Sequence, residues 1–138
     1  MNPVLLDTGV IVALLDRSEK SHERCAAAVR ELKRPFVTCE AVIAESCYLL
    51  RDLPGAAEAV VENIDIGTFA ILFQLSRSAP AIRRILAKYR DRTIDFADAC
   101  LIRMAEELGS GEILTLDRDF EIYRWGRHKP FDLLIEPA

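Results

Sequence analysis

The chain has 138 residues, 51% of them hydrophobic and 29% charged, which fits a single globular domain over residues 1–138 and excludes an intrinsically disordered chain. No apolar run approaches the roughly 20 residues that a membrane-spanning helix needs. The net charge of −4, from 18 basic and 22 acidic residues, weighs against a cationic nucleic-acid binder, so any such partner must be met by a local patch.

Val4-Leu5-Leu6 reads as a short buried strand, and Gly9 to Leu15 as one or two helical turns. A second helix is predicted to Leu32, capped by Ser18 or Ser21. Pro35 ends that connection, and Phe36-Val37-Thr38 forms a strand. A helix then covers Glu40 to Leu53, stopped by Pro54-Gly55, and another runs from Ala56 to Ile64. The aromatic-rich run Phe69 to Leu75 predicts a strand. Pro80 at a first helical position opens a helix to Tyr89, and Thr93 opens one to Leu108, with Gly109 past its end. Glu112 to Leu116 is a strand, Arg118 to Trp125 a short helix, and Phe131 to Ile135 a last strand. Strands alternating with helices predict an α/β sandwich around a mainly parallel sheet, with no repeat or long linker.

The four cysteines, Cys25, Cys39, Cys47 and Cys100, form no CxxC pair and no zinc-spaced cluster. They read as reduced thiols, three of them in apolar or Ala-rich surroundings, and predict a cytoplasmic protein. The N-terminus has no basic region ahead of an apolar stretch, so no signal peptide is expected. Basic charge is concentrated between Arg77 and Arg92, where Arg77, Arg83, Arg84, Lys88, Arg90 and Arg92 face a single acid, Asp91. Arg83, Arg84 and Lys88 are therefore candidate contacts to phosphate, against the alternative of an ordinary solvated helix face.

The acids fall where core residues are expected. Asp98 shares the helical stripe of Leu101, Ile102, Ala105 and Leu108, and Asp95 lies one turn earlier on the same side. A first-turn acid favoured by the helix dipole is the competing explanation for Asp95. Glu45 sits between Val42 and Leu49 at helical spacing, and could also be a partly exposed helix acid. Asp7 and Asp117 each follow a predicted strand, where a turn or cap role competes with a ligand-binding one. Asp16, Asp119 and Glu121 read as surface acids. Clustered carboxylates repel one another unless cations neutralise them, and hard oxygen ligands with only two histidines favour Mg²⁺ or Mn²⁺ over Zn²⁺. Such ions suit in-line displacement at phosphorus, so the constellation points to phosphodiester hydrolysis. Four metal-bound carboxylates would leave 18 acids, matching the 18 basic residues.

Four segments in order resemble the PIN-domain family and, within it, the VapC-like toxin ribonucleases. They are Val4-Leu5-Leu6-Asp7-Thr8-Gly9-Val10, Ala44-Glu45, Asp95-Phe96-Ala97-Asp98-Ala99 and Ile113-Leu114-Thr115-Leu116-Asp117-Arg118-Asp119-Phe120. The resemblance implies a PIN-like three-layer sandwich with about five parallel strands flanked by helices. It also implies an acidic site of Asp7, Glu45, Asp98 and Asp117, with Asp95 and Asp119 as neighbours able to share a role. A Mg²⁺- or Mn²⁺-dependent endoribonuclease is expected, yielding 5′-phosphate and 3′-hydroxyl ends. The expected partners are an RNA substrate, a cognate antitoxin protein and a second copy in a homodimer. Gly9 departs from the Ser frequent in the family, leaving Thr8 and Thr115 as candidate hydroxyls near the metal. A housekeeping RNA-processing PIN nuclease without an antitoxin, and a silent RNA- or protein-binding PIN module, are the alternatives within the family. Asp7-Thr8-Gly9 also resembles the aspartic-protease triplet, but the helix-rich remainder does not suit that all-β fold. A phosphatase with Asp7 as nucleophile would want an acid at position 9, which is Gly.

Overall fold

The computed structural model describes residues 2–137. Strand β1 (Val4–Leu6) is buried on both faces, as its uninterrupted apolar run requires. Helix α1 (Thr8–Leu15) follows at once, capped by Asp7, and α2 (His22–Leu32) follows Ser21. Strand β2 (Phe36–Thr38) leads to α3 (Glu40–Leu49), α4 (Ala56–Asp65) and strand β3 (Phe69–Ile71). Helices α5 (Leu75–Lys88) and α6 (Phe96–Leu108) flank a 3₁₀ turn at Arg90–Arg92. Strand β4 (Glu112–Leu114), a 3₁₀ turn (Arg118–Glu121) and the short strands β5 (Arg124–Trp125), β6 (Lys129–Pro130) and β7 (Asp132–Leu133) complete the order.

Five strands form one sheet in the order β3-β2-β1-β4-β7, and every pairing in it is parallel. The chain builds outward from β1 to β3 on one side, then returns to lay β4 and β7 on the other. The reversal falls between β1 and β4, where Leu6 registers with Leu114. In an open parallel sheet, the crevice at the carboxyl ends of strands flanking such a reversal is where ligands bind. Helices α1 to α4 pack against one another, and α5 packs along α6. The core runs through β1, β4, α1 and α6, whose Leu5, Leu6, Ile11, Leu101, Ile102, Ile113 and Leu114 are all fully buried. Among the described residues, no helix is long and apolar enough to cross a membrane.

Several boundaries differ from the sequence expectation, the strands expected over Glu112–Leu116 and Phe131–Ile135 shortening to β4 and β7. Helix α3 ends at Leu49 rather than Leu53: the chain tightens into turns in which the Arg51 N–H donates to the Tyr48 carbonyl and the Leu53 N–H to the Leu50 carbonyl, and Pro54 has no N–H with which to continue the helical ladder to Leu50. Helix α5 starts at Leu75, so β3 is shorter and Pro80 lies inside the helix instead of opening it. The buried stripe of Ser78, Ala81, Ile82 and Ile85 holds that helix together, while Pro80 sits on its exposed face where water can serve the freed carbonyl. Thr93 adopts left-handed backbone (φ 51°), and α6 is opened two residues later by Asp95. The segment predicted as a helix from Arg118 splits into a 3₁₀ turn and the β5–β6 hairpin.

Candidate active site

Asp7 is placed by the end of β1 and by its role as N-cap of α1. Its Oδ1 accepts from the Thr8 N–H (2.8 Å), and the Thr115 hydroxyl donates to its Oδ2 (2.6 Å). Thr115 is fully buried just past β4, and its Oγ also accepts from the Asp117 N–H (3.0 Å). One hydroxyl therefore ties together the acids at the ends of two neighbouring strands. Asp98 enters from the first turn of α6, where its N–H donates to the Asp95 carboxylate (2.8 Å). The Tyr123 hydroxyl donates to Asp98 Oδ2 (3.3 Å). Glu45 projects from α3, and Thr8 donates its hydroxyl to Glu45 Oε1 (2.6 Å).

Asp7, Asp98 and Asp117 each offer a carboxylate oxygen within 4.8 Å of the others. Asp7 and Asp98 are each only 6% exposed. They open onto a cleft of about 310 Å³ that Glu45, Asp95, Thr8 and Gly9 also line. Glu45 thus shares the cleft without joining the close triad. Asp95 is exposed and acts as a helix cap. Asp119 is exposed outside the cleft, its backbone N–H donating to Asp117 Oδ1 (2.9 Å).

The carboxyls carry the electrostatic signature of a site built for a cation. Burial, followed by the neighbouring Asp7, Asp95 and Asp117, pushes Asp98 up to about 8. Burial pushes Asp7 up to about 6 even though the Thr115 and Thr8 hydrogen bonds act the other way. Asp117 is also raised, first by burial and then by Asp119 and Asp95. Among the described residues the salt bridges lie elsewhere, at Arg34–Glu112, Arg103–Glu106 and Arg118–Glu121, so no protein cation neutralises the triad. Converging carboxylates with no nitrogen or sulfur donor fit a hard divalent ion such as Mg²⁺ or Mn²⁺.

Sequence reasoning missed Tyr123. Its neighbours gave no spacing signal, because the residue reaches Asp98 only through an aromatic cluster. Its ring packs edge-on against Tyr89 (5.0 Å) and Phe120 (5.1 Å). Of the basic candidates, Arg83 and Arg84 line a groove on the outer face of α5. Lys88 does not; its ammonium lies 5.2 Å from the centre of the Tyr89 ring.

Residues 4–126, a span holding the whole triad and Glu45, match the PIN domain family. The chain belongs to the PIN domain family. This PIN domain is similar to Ribonuclease VapC26 of Mycobacterium tuberculosis (strain ATCC 25618 / H37Rv), with 28% identity over 117 residues, 83% of this chain and 87% of VapC26. Its fold matches the crystal structure of Mycobacterium tuberculosis VapC20, described as a sarcin-ricin loop cleaving toxin. The TM-score is 0.75 at 21% identity, over 86% of this chain and 93% of VapC20. The acidic cleft therefore belongs to a PIN-family domain related to VapC toxins, with the five-stranded parallel sheet expected of it.

Proposed function

We propose that this PIN domain is a Mg²⁺- or Mn²⁺-dependent endoribonuclease and the toxin of a toxin–antitoxin pair. The observation that carries the reading is the convergence of Asp7, Asp98 and Asp117, from distant segments, at the strand-order reversal of the sheet. Asp7, Asp98 and Asp117 would hold the ion, with Thr115 fixing the first and last of them and Tyr123 the second. When bound, such an ion lowers the pKa of a coordinated water and offsets negative charge on the phosphate. Glu45 has one oxygen occupied by Thr8, leaving Oε2 to accept a hydrogen bond from the attacking water and orient it. The water oxygen would bond to phosphorus in line as the P–O3′ bond breaks; the proton the water gives up passes to solvent, and the departing 3′ oxygen takes one from solvent to leave as a hydroxyl.

The toxin reading rests on similarity to VapC26 and on the VapC20 fold. An apolar strip on α4, with Ala57, Val61 and Ile64 between Glu58, Glu62 and Asp65, supports a protein partner such as an antitoxin. Exposed Leu72, Leu75 and Leu108 beside the β3 edge support a homodimer. The test is incubation of single-stranded RNA with the purified chain and Mn²⁺ or EDTA, with the product ends mapped, alongside induction in cells with and without the neighbouring gene product. Ion-dependent cleavage to 5′-phosphate ends, and growth arrest relieved by that neighbour, are expected. Cleavage indifferent to EDTA would end the metal-dependent reading; harmless expression of an active enzyme would end the toxin reading alone.

A further inference from the structure

The acidic cleft creates a problem for its own proposed substrate: RNA is a polyanion, and the chain carries a net charge of −4. Something must hold the strand beside a group of carboxylates. Several arginines are already engaged. Arg34, Arg103 and Arg118 pair with Glu112, Glu106 and Glu121, and Arg124 donates to the carbonyls of Glu121, Ile122 and Tyr123. Arg83, Arg84 and Arg90 are exposed and form no salt bridge among the described residues.

These three lie together. Pro80, Arg83, Arg84 and Ala87 follow helical spacing on the face of α5 opposite its buried Ser78, Ala81, Ile82 and Ile85. With Leu86 and with Arg90 from the following turn, they line an open groove of about 530 Å³. From Arg83 to Arg90 the helical rise amounts to roughly 10 Å, longer than one phosphate group. The lining combines the apolar Pro80, Leu86 and Ala87 with three guanidinium groups, which bind phosphate oxygens in a bidentate fork.

The groove also has a direction. Arg103, past the middle of α6, donates to Ser78 near the start of α5 (3.4 Å), while Tyr89 at the far end of α5 packs on Tyr123, the partner of Asp98 in the first turn of α6, so the two helices run antiparallel. The far end of α5 consequently reaches the acidic end of α6. Arg90 follows Tyr89 directly, so one end of the groove is two side chains from the triad.

We propose that Arg83, Arg84 and Arg90 form a track for the RNA phosphodiester backbone, holding the strand on the outer face of α5 as it approaches the acidic cleft. A single-stranded RNA suits this surface better than an acidic protein, because only a continuous strand needs cationic contacts that lead toward the cleft. This placement rests on the nuclease reading for its substrate.

The test is equilibrium binding of a labelled 15-nucleotide single-stranded RNA in the Asp98→Asn background, across 50–300 mM salt. The variants are Arg83→Glu/Arg84→Glu/Arg90→Glu and the neutral Arg83→Gln/Arg84→Gln/Arg90→Gln, which covers the case where charge reversal disturbs folding. Three lost contacts at about 0.7 each should flatten the salt slope by about 2, and affinity at 100 mM salt should fall by roughly tenfold or more. Unchanged affinity and slope in both variants would overturn the track. So would loss of polyglutamate binding with RNA binding intact, which would assign the groove to an acidic protein. A cleavage assay of the native chain run in parallel separates the two failures. Cleavage without groove dependence sinks the track alone, while groove-dependent binding without cleavage sinks the nuclease reading alone.

Discussion

Replacing Asp98 by Asn should change how the metal-free protein responds to pH more than it changes the fold. The Asp98 carboxyl, 6% exposed and facing Asp7, Asp95 and Asp117, is pushed up to about 8, against 3.8 for an ordinary aspartate. Between those values the folded state keeps a proton that the unfolded state has released. An acid raised on folding therefore costs stability as pH climbs through this window, at about 1.4 kcal/mol per pH unit. From pH 5 to 7 the loss is about 3 kcal/mol, which for a domain of this size corresponds to roughly 10 °C in Tm. Asn is neutral throughout and keeps an oxygen for the Tyr123 hydroxyl, so Asp98→Asn should lose this component of the slope. The assay is thermal melting in EDTA at pH 5, 6 and 7 for both proteins. The mutant's advantage should grow with pH, and excess Mn²⁺ should raise the native Tm while leaving the mutant nearly unmoved. Parallel pH profiles for the two proteins would refute the assignment of an uncompensated buried carboxyl.

Tyr123→Phe removes the hydroxyl that orients Asp98 while keeping the ring that packs on Tyr89 and Phe120. Mn²⁺ affinity by calorimetry should fall about tenfold with little change in Tm, as for other partners behind metal ligands; native affinity would show that Tyr123 is only a packing residue. Gly111→Ala would drive a Cβ into the Trp125 indole, so a loss of about 1–3 kcal/mol in denaturant unfolding is expected, and an unchanged midpoint would contradict the packing. Gly9→Ser, in contrast, meets only Leu116 atoms at 3.7 Å, so its melting temperature should stay within a degree or two of native although it lines the cleft.

The parts of this protein that were legible in its sequence are those governed by local pattern. The apolar runs of β1, β2 and β4 read as buried strands, and the acids that follow two of those runs emerge at one sheet edge because the strands are parallel. Asp98 stood out because it interrupts an apolar stripe, and the structure places it in the triad. Asp95 and Asp119 neighbour triad residues in sequence but are both exposed, one capping α6 at the rim of the cleft and the other lying outside it, a distinction from Asp98 and Asp117 that spacing alone does not carry. The helix boundary at Pro80 was misplaced because the burial of Ser78 and Ala81 against α6, a tertiary effect, outweighs the local preference of proline for a first turn. Tyr123 was invisible for the same reason, since its partner lies 25 residues away. Gly111 gave no hint of its role either; it reads as a loop glycine, yet Trp125 packs where a side chain would stand.

In the proposed function Asp7, Asp98 and Asp117 together hold a divalent ion. The most direct test is an anomalous difference map from crystals soaked in Mn²⁺. A peak is expected among the three carboxylates, with Mn–O distances of about 2.0–2.3 Å by analogy with hard-cation sites, and it should be lost in Asp7→Asn. A well-occupied Mn²⁺ elsewhere on the protein, with this cleft showing no peak, would contradict that role for the three acids.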